Sequence, residues 1–181
     1  LEADGEGKYV GTVNVGSTAT ANEGYAFAFW MGPNDSTFWS KDLNTTLTVE
    51  GGKTYTYTAT FGTDLIGPED PTGEDPDKPG DGIPDKYQVV VEYVAGKGGK
   101  ITGKQVEVLT IYDADDHYSI VGDVTATGSQ AAAFHNWAFS RWVAPNGGVA
   151  SWHPTLDQQT IENAEGGTTY VFTAHFRYDP Y

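Results

Sequence analysis

The sequence has no cysteine. That excludes disulfides, thiolate catalysis, cysteine-based metal sites and thioester crosslinks. It holds one methionine, Met31, and does not begin with it, so the stretch reads as a fragment of a larger protein. No apolar run approaches the ~20 residues that a spanning helix needs, and no secretory leader is present. No membrane insertion is expected within these residues. Basic residues are scarce, 10 against 25 acidic ones, for a formal charge of −15. Nucleic acid and anionic lipid are therefore poor partners. Catalytic signatures are also missing. There is no nucleophile elbow, and His117, His135, His153 and His175 form no HxxxH pair of the kind that binds zinc. The expectation is a non-enzymatic chain.

What is present is a repeat. Gly24-Tyr25-Ala26-Phe27-Ala28-Phe29-Trp30 returns as Asn136-Trp137-Ala138-Phe139-Ser140-Arg141-Trp142, at an offset of 112 residues. Trp39 and Leu43 match Trp152 and Leu156 at 113. The stretch from Gly51 to Phe61 matches Gly166 to Phe176 at 115. Three ordered blocks drifting by three residues are an internal repeat with small loop insertions. A unit of this size has a marginal core, so its large aromatics matter. Trp30 and Trp142 are the expected core anchors, with Phe61 over Phe176.

Alternation sets the fold class. Tyr9 to Val15, Tyr25 to Trp30, and Thr54 to Phe61 all show period 2, with turns at Asn22-Glu23-Gly24, Gly32-Pro33-Asn34-Asp35 and Gly51-Gly52. Residues 87–112 read as a hairpin turning at Gly96 to Gly99. Leu156 to Glu165 has room for one short helix; Ser129 to Phe134 suits either helix or strand. Residues 63–86 break the pattern, with five of the nine prolines and eight acids between Asp64 and Asp85. Such a segment buries no core, and should be extended and make few contacts. The reading is a mainly β chain of tandem small antiparallel β-sheet modules. Residues 1–62 form a first module, 63–86 an acidic Pro/Gly-rich linker, and 87–181 a second, complete module.

Tyr25-Ala26-Phe27-Ala28-Phe29-Trp30, followed by a polar loop and Tyr57-Thr58-Ala59-Thr60-Phe61, resembles the divergent internalin-type B repeats. These "bacterial repeat" domains occur in cell-surface proteins of Gram-positive bacteria. Trp137 to Trp142 with Phe172 to Phe176 resembles the same family, with Trp137 and Asn136 replacing the usual Tyr and Gly. The resemblance covers both copies and not the linker. It implies β-grasp-like modules of a secreted or cell-wall-anchored protein. Their implied role is that of an adhesin stalk, a spacer or a protein-interaction domain, without catalytic residues. The implied partner is a host or bacterial surface protein or a glycan.

Two sets of residues are candidate sites. Trp39 and Trp152 lie in polar loops, and aromatic rings exposed there are sugar platforms in carbohydrate-binding modules; packing against the sheet edge is the alternative. Asp75, Asp77, Asp81 and Asp85 have closely spaced carboxylates and a glycine, as calcium loops do, although their spacing does not fit an EF-hand. Asp113, Asp115 and Asp116 form a second acidic cluster. For either cluster a solvated loop is the alternative, and calcium is the only cofactor either suggests. Finally, the hairpin of 87–112 has no counterpart before residue 1. The first module should therefore present an open strand edge for pairing with another chain, unless residues 1–10 close the sheet themselves.

Overall fold

The computed structural model describes every residue from Leu1 to Tyr181. Strands dominate, with two 3₁₀ turns at Pro33–Asp35 and Asp85–Tyr87 and no α-helix. The chain divides into two compact units, one of residues 1–63 with 82–84, the other of residues 64–81 with 85–181.

The first unit holds β1 (Glu2–Ala3), β2 (Tyr9–Thr18), β3 (Tyr25–Met31), β4 (Thr37–Phe38), β5 (Asp42–Glu50) and β6 (Thr58–Thr63). They form two three-stranded sheets, β1-β2-β5 and β4-β3-β6. β2 and β5 pair antiparallel over nine positions, from Val10 opposite Glu50 to Thr18 opposite Asp42. On β3 the buried side is the alanine side: Ala26, Ala28 and Trp30 are buried, while Tyr25 and Met31 are exposed. Small residues let the facing sheet approach, and Trp30 fills the space beyond them. Trp30 packs with Ala19 and Leu43, flanked by half-buried Val15, Phe27, Phe38, Tyr57 and Ala59.

The second unit holds β7 (Gln88–Ala95), β8 (Gly99–Ile101), β9 (Val106–Thr110), β10 (Val121–Ala126), β11 (Ser129–Ala133), β12 (Trp137–Val143), β13 (Val149–Ser151), β14 (Thr155–Leu156), β15 (Gln159–Glu165) and β16 (Thr169–Tyr178). The central sheet has order β13-β12-β16-β7-β9; β10-β15 and β14-β11-β8 are smaller sheets. All pairings are antiparallel except β16 with β7, which runs parallel from Thr169 opposite Val90 to Ala174 opposite Ala95. One core gathers Val91, Tyr93, Trp142, Leu156, Phe172 and Ala174, and a second Val89, Ile111, Val124 and Ala164. The alternation of Val89, Val91 and Tyr93 places one face of β7 against both.

The repeated blocks share one hydrogen-bonded frame. Phe27 lies opposite Phe61 and Trp30 opposite Ala59; Phe139 lies opposite Phe176 and Trp142 opposite Ala174. A register shift falls between Phe27 and Phe29 in one pair and between Phe139 and Arg141 in the other. Such a bulge admits the two adjacent large residues of each copy, Phe29-Trp30 and Arg141-Trp142. The Trp30 Nε1–H donates to the Lys41 carbonyl at 3.2 Å, and the Trp142 Nε1–H to the Pro154 carbonyl at 3.1 Å. The Glu50 N–H donates to the Tyr55 hydroxyl at 2.8 Å, and the Glu165 N–H to the Tyr170 hydroxyl at 2.9 Å.

Four expectations change. The strand expected from Thr54 begins at Thr58; residues 54–57 pair with no strand, whereas the matching 169–172 do, on β7. Residues 1–10 do not close the β4-β3-β6 sheet, because β1 pairs with β2 instead. The stretch with room for a helix is strand β15, so no α-helix of a β-grasp packs on a sheet, and Ser129–Ala133 is strand too. The acidic segment is not a bare extended chain. Its own carboxylates accept its backbone N–H groups: Asp70 from Gly73 and Asp75, Asp64 from Asp81, and Asp85 from Leu65 and Ile66. Main-chain donors thus stabilise the carboxylates of Asp64, Asp70 and Asp85 locally, a term that composition alone does not reveal.

Candidate functional site

The two loop tryptophans have different surroundings. Trp39 is half-buried and packs its ring against Phe29, 5.6 Å between centroids at 54°. Trp152 follows β13 and is 68% exposed. The loop that carries it is held by its neighbours: the Ser151 hydroxyl accepts from the His153 N–H at 3.0 Å, and the Pro154 carbonyl receives the Trp142 indole. Only Trp152 therefore presents a ring in solvent on a loop anchored to the core. In the same unit, β15 and the start of β16 face the turn between β12 and β13 across a cleft of about 960 Å³, lined by Pro145, Asn146, Val149, Thr160, Glu162, Tyr170 and neighbouring residues.

The carboxylates of the acidic segment are dispersed by separate duties. Asp75 accepts from the Asp77 N–H at 3.0 Å. Asp81 accepts from Gln88 Nε2 at 2.7 Å. Asp85 holds the N–H groups of Leu65 and Ile66, both at 3.1 Å. Burial pushes the Asp85 carboxyl above its usual range and the nearby Asp81 charge adds to this, against the lowering effect of the two N–H donors. No three of Asp75, Asp77, Asp81 and Asp85 bring ligating atoms together. Asp70 is held low, chiefly by the Asp75 N–H and then by the Thr72 hydroxyl. Gln88 is buried, and its Oε1 has no hydrogen-bond partner.

Three candidate metal-ligating side chains do converge elsewhere. Asp113, Asp115 and His117 place ligand atoms within 4.8 Å of one another on the loop after β9. Asp113 accepts from the N–H groups of Asp115 and His117, both at 2.9 Å, and the His117 bond leads in holding its carboxyl low. The acidic cluster expected from the sequence shares Asp113 and Asp115 with this group but not Asp116, whose φ of 59° places it in the left-handed region. The Asp-x-Asp-x-His spacing was the available signal for His117.

A buried polar group also went unread. Glu107 alternates with Val106 and Val108 as if facing solvent, yet it is 8% exposed. It accepts from the Thr127 N–H at 2.9 Å, the Thr127 hydroxyl at 2.5 Å, Lys104 Nζ at 3.2 Å and the Tyr93 hydroxyl at 3.4 Å. The Tyr93 oxygen in turn accepts from the Gly128 N–H at 3.0 Å. Burial pushes the Tyr93 phenol up to about 12, and Glu107 adds to the shift. The network satisfies each buried polar atom it contains and ties β7 and β9 to the turn after β10, a structural duty.

Among models of protein families, curated proteins and solved structures, nothing matches this chain.

Proposed function

We propose that this chain is a pair of tandem, non-enzymatic repeat modules of a bacterial cell-surface protein, acting as adhesin stalk or spacer or as a protein-interaction domain. The observation that carries this reading is the duplicated frame. The bulged β3–β6 and β12–β16 pairs, the indole-to-carbonyl bonds of Trp30 and Trp142, and the tyrosine clasps of Tyr55 and Tyr170 recur at matched positions. Repetition of a scaffold without repetition of a reactive cluster suits a protein that spans distance. Residues 63–86 serve as its acidic linker. Antibodies raised against the chain should label unpermeabilised cells of the organism that carries its gene, and surface proteolysis should remove the label. Labelling only after lysis would refute the assignment to the cell surface.

A second reading is favoured by one observation. Trp152, at 68% exposure on an anchored loop, is a stacking platform for a sugar ring. Half-buried Trp39 contributes less. A glycan array probed with the wild-type chain and with Trp152→Ala tests this. Binding lost in the variant supports the reading, and no binding by either, or equal binding by both, removes it.

A further inference from the structure

The repeat makes it possible to ask of each unit what the other one has. Strand β16 is paired on both sides, by β12 and by β7. Its counterpart β6 is paired only by β3. No strand takes the place of β7 in the first unit, and three independent observations mark the difference.

The first is the main chain. Residues 169–174 find their parallel partners on β7, from Val90 to Ala95. The matching residues 54–59 have none there. Thr54 to Tyr57 pair with no strand on either side, although their sequence alternates as well as that of Thr169 to Phe172. The second is the side chains. Phe172 and Ala174 are 2% and 0% exposed, the former stacked on Tyr93 of β7 at 5.7 Å. Their counterparts Tyr57 and Ala59 are only half-buried. Val124, in the run Val121-Gly122-Asp123-Val124, is 5% exposed beneath Val89 and Ile111, whereas Val13, in the similar run Val10-Gly11-Thr12-Val13, is 37% exposed. The third is a glycine. A Cβ on Gly166 would sit 1.7 Å from the carbonyl of Lys86, just before β7. A Cβ on the matching Gly51 would meet nothing nearer than 3.4 Å.

We infer that the first unit is a receiver for an incoming β-hairpin, delivered by a partner polypeptide other than a second copy of this chain. Its first strand lies parallel to residues 54–59. The chemistry of this partner follows from the strands that fill the place in the second unit. It alternates β-branched residues, as Val89 and Val91 do. It carries an aromatic ring where Tyr93 stands, to stack on Tyr57. Its returning strand offers apolar residues at the Leu109 and Ile111 positions, to cover Val13 and the β2–β5 ribbon. Strand addition of this kind draws affinity from main-chain hydrogen bonds and specificity from the alternate side chains. The inference holds whether or not the chain is a surface stalk, since it rests only on the comparison of the two units.

The test uses the intact chain and a synthetic peptide of its own residues Tyr87 to Ile111 as the probe, followed by hydrogen exchange. The peptide should slow exchange across residues 54–59 at least tenfold and leave residues 169–174 unchanged. A control peptide carrying Val91→Pro and Tyr93→Pro should do neither, since proline removes ladder donors. Three results would overturn the inference. One is no slowing at any soluble peptide concentration. Another is slowing that rises with protein concentration in the absence of peptide, which would make a second copy the occupant. The last is a monomer whose residues 54–59 are already as protected as 169–174.

Discussion

Replacing Trp142 with alanine probes the repeated frame most directly. The side chain is wholly buried, its ring meets Tyr93 edge-on at 6.3 Å and Phe139 at 6.5 Å, and its Nε1–H is bonded to the Pro154 carbonyl. A buried Trp→Ala change costs about 3–5 kcal/mol through lost transfer energy and the cavity left behind. The Pro154 carbonyl also accepts from the Ala131 N–H at 3.0 Å, so losing the indole does not leave it unpaired, and the indole bond itself contributes only about 1 kcal/mol. A domain of ordinary stability has about 5–15 kcal/mol in total. Trp142→Ala should therefore leave the second unit folded but much weakened, and Trp142→Phe should lose roughly 1–2 kcal/mol, the hydrogen bond plus part of the ring. Urea denaturation read by hydrogen exchange of residues 169–178 measures both. A loss below about 1 kcal/mol for Trp142→Ala would refute the view that this indole anchors the core. Trp30→Ala should have the graver outcome. Its buried cluster contains only Ala19 and Leu43 besides, so the first unit should lose exchange protection across residues 58–63 entirely.

Two further measurements follow. Gly166→Ala forces a Cβ onto the Lys86 carbonyl and should cost about 1–3 kcal/mol of overpacking, whereas Gly51→Ala at the matching turn should stay within about 0.5 kcal/mol; thermal melts of the two variants compare them directly. Tyr93 binds its proton more tightly folded than unfolded, so its contribution is complete below its ordinary value near 10 and fades as pH rises toward 12. Roughly 2 kcal/mol should go in that window, and Tyr93→Phe should flatten the alkaline fall in stability; an unchanged slope would count against the buried phenol.

The duplicated frame was legible because its signal is local and doubled. The pairs Phe29-Trp30 and Arg141-Trp142, the Gly-Gly turns and the Thr-Ala-x-Phe endings each occur twice in the same order. What the sequence concealed depends on partners distant along the chain. Thr54 to Tyr57 alternates as well as Thr169 to Phe172, yet only the latter becomes strand, because β7 supplies hydrogen bonds that alternation cannot. Glu107 alternates like a solvent-facing residue, and only Thr127 and Tyr93, twenty and fourteen residues away, show that it is buried and satisfied. The acidic segment reads as repulsive because composition does not show which N–H each carboxylate will accept. Of the two loop tryptophans, only contact with Phe29 distinguishes half-buried Trp39 from solvent-facing Trp152.

The parallel pairing of β7 with β16 also bears on how the second unit comes into being. Thr169 meets Val90 across a separation of 79 residues, whereas β7 and β9 meet within about twenty. On a ribosome adding about 5–20 residues per second, β7 and β9 can form their hairpin early, but the other edge of β7 stays bare for about 4–16 seconds until its partner is made. During that interval Val89, Val91 and Tyr93 have no core to enter. The nascent chain thus passes through a stage with an unsatisfied apolar strand, when chaperone capture or pairing with a neighbouring nascent chain competes with completion of the sheet.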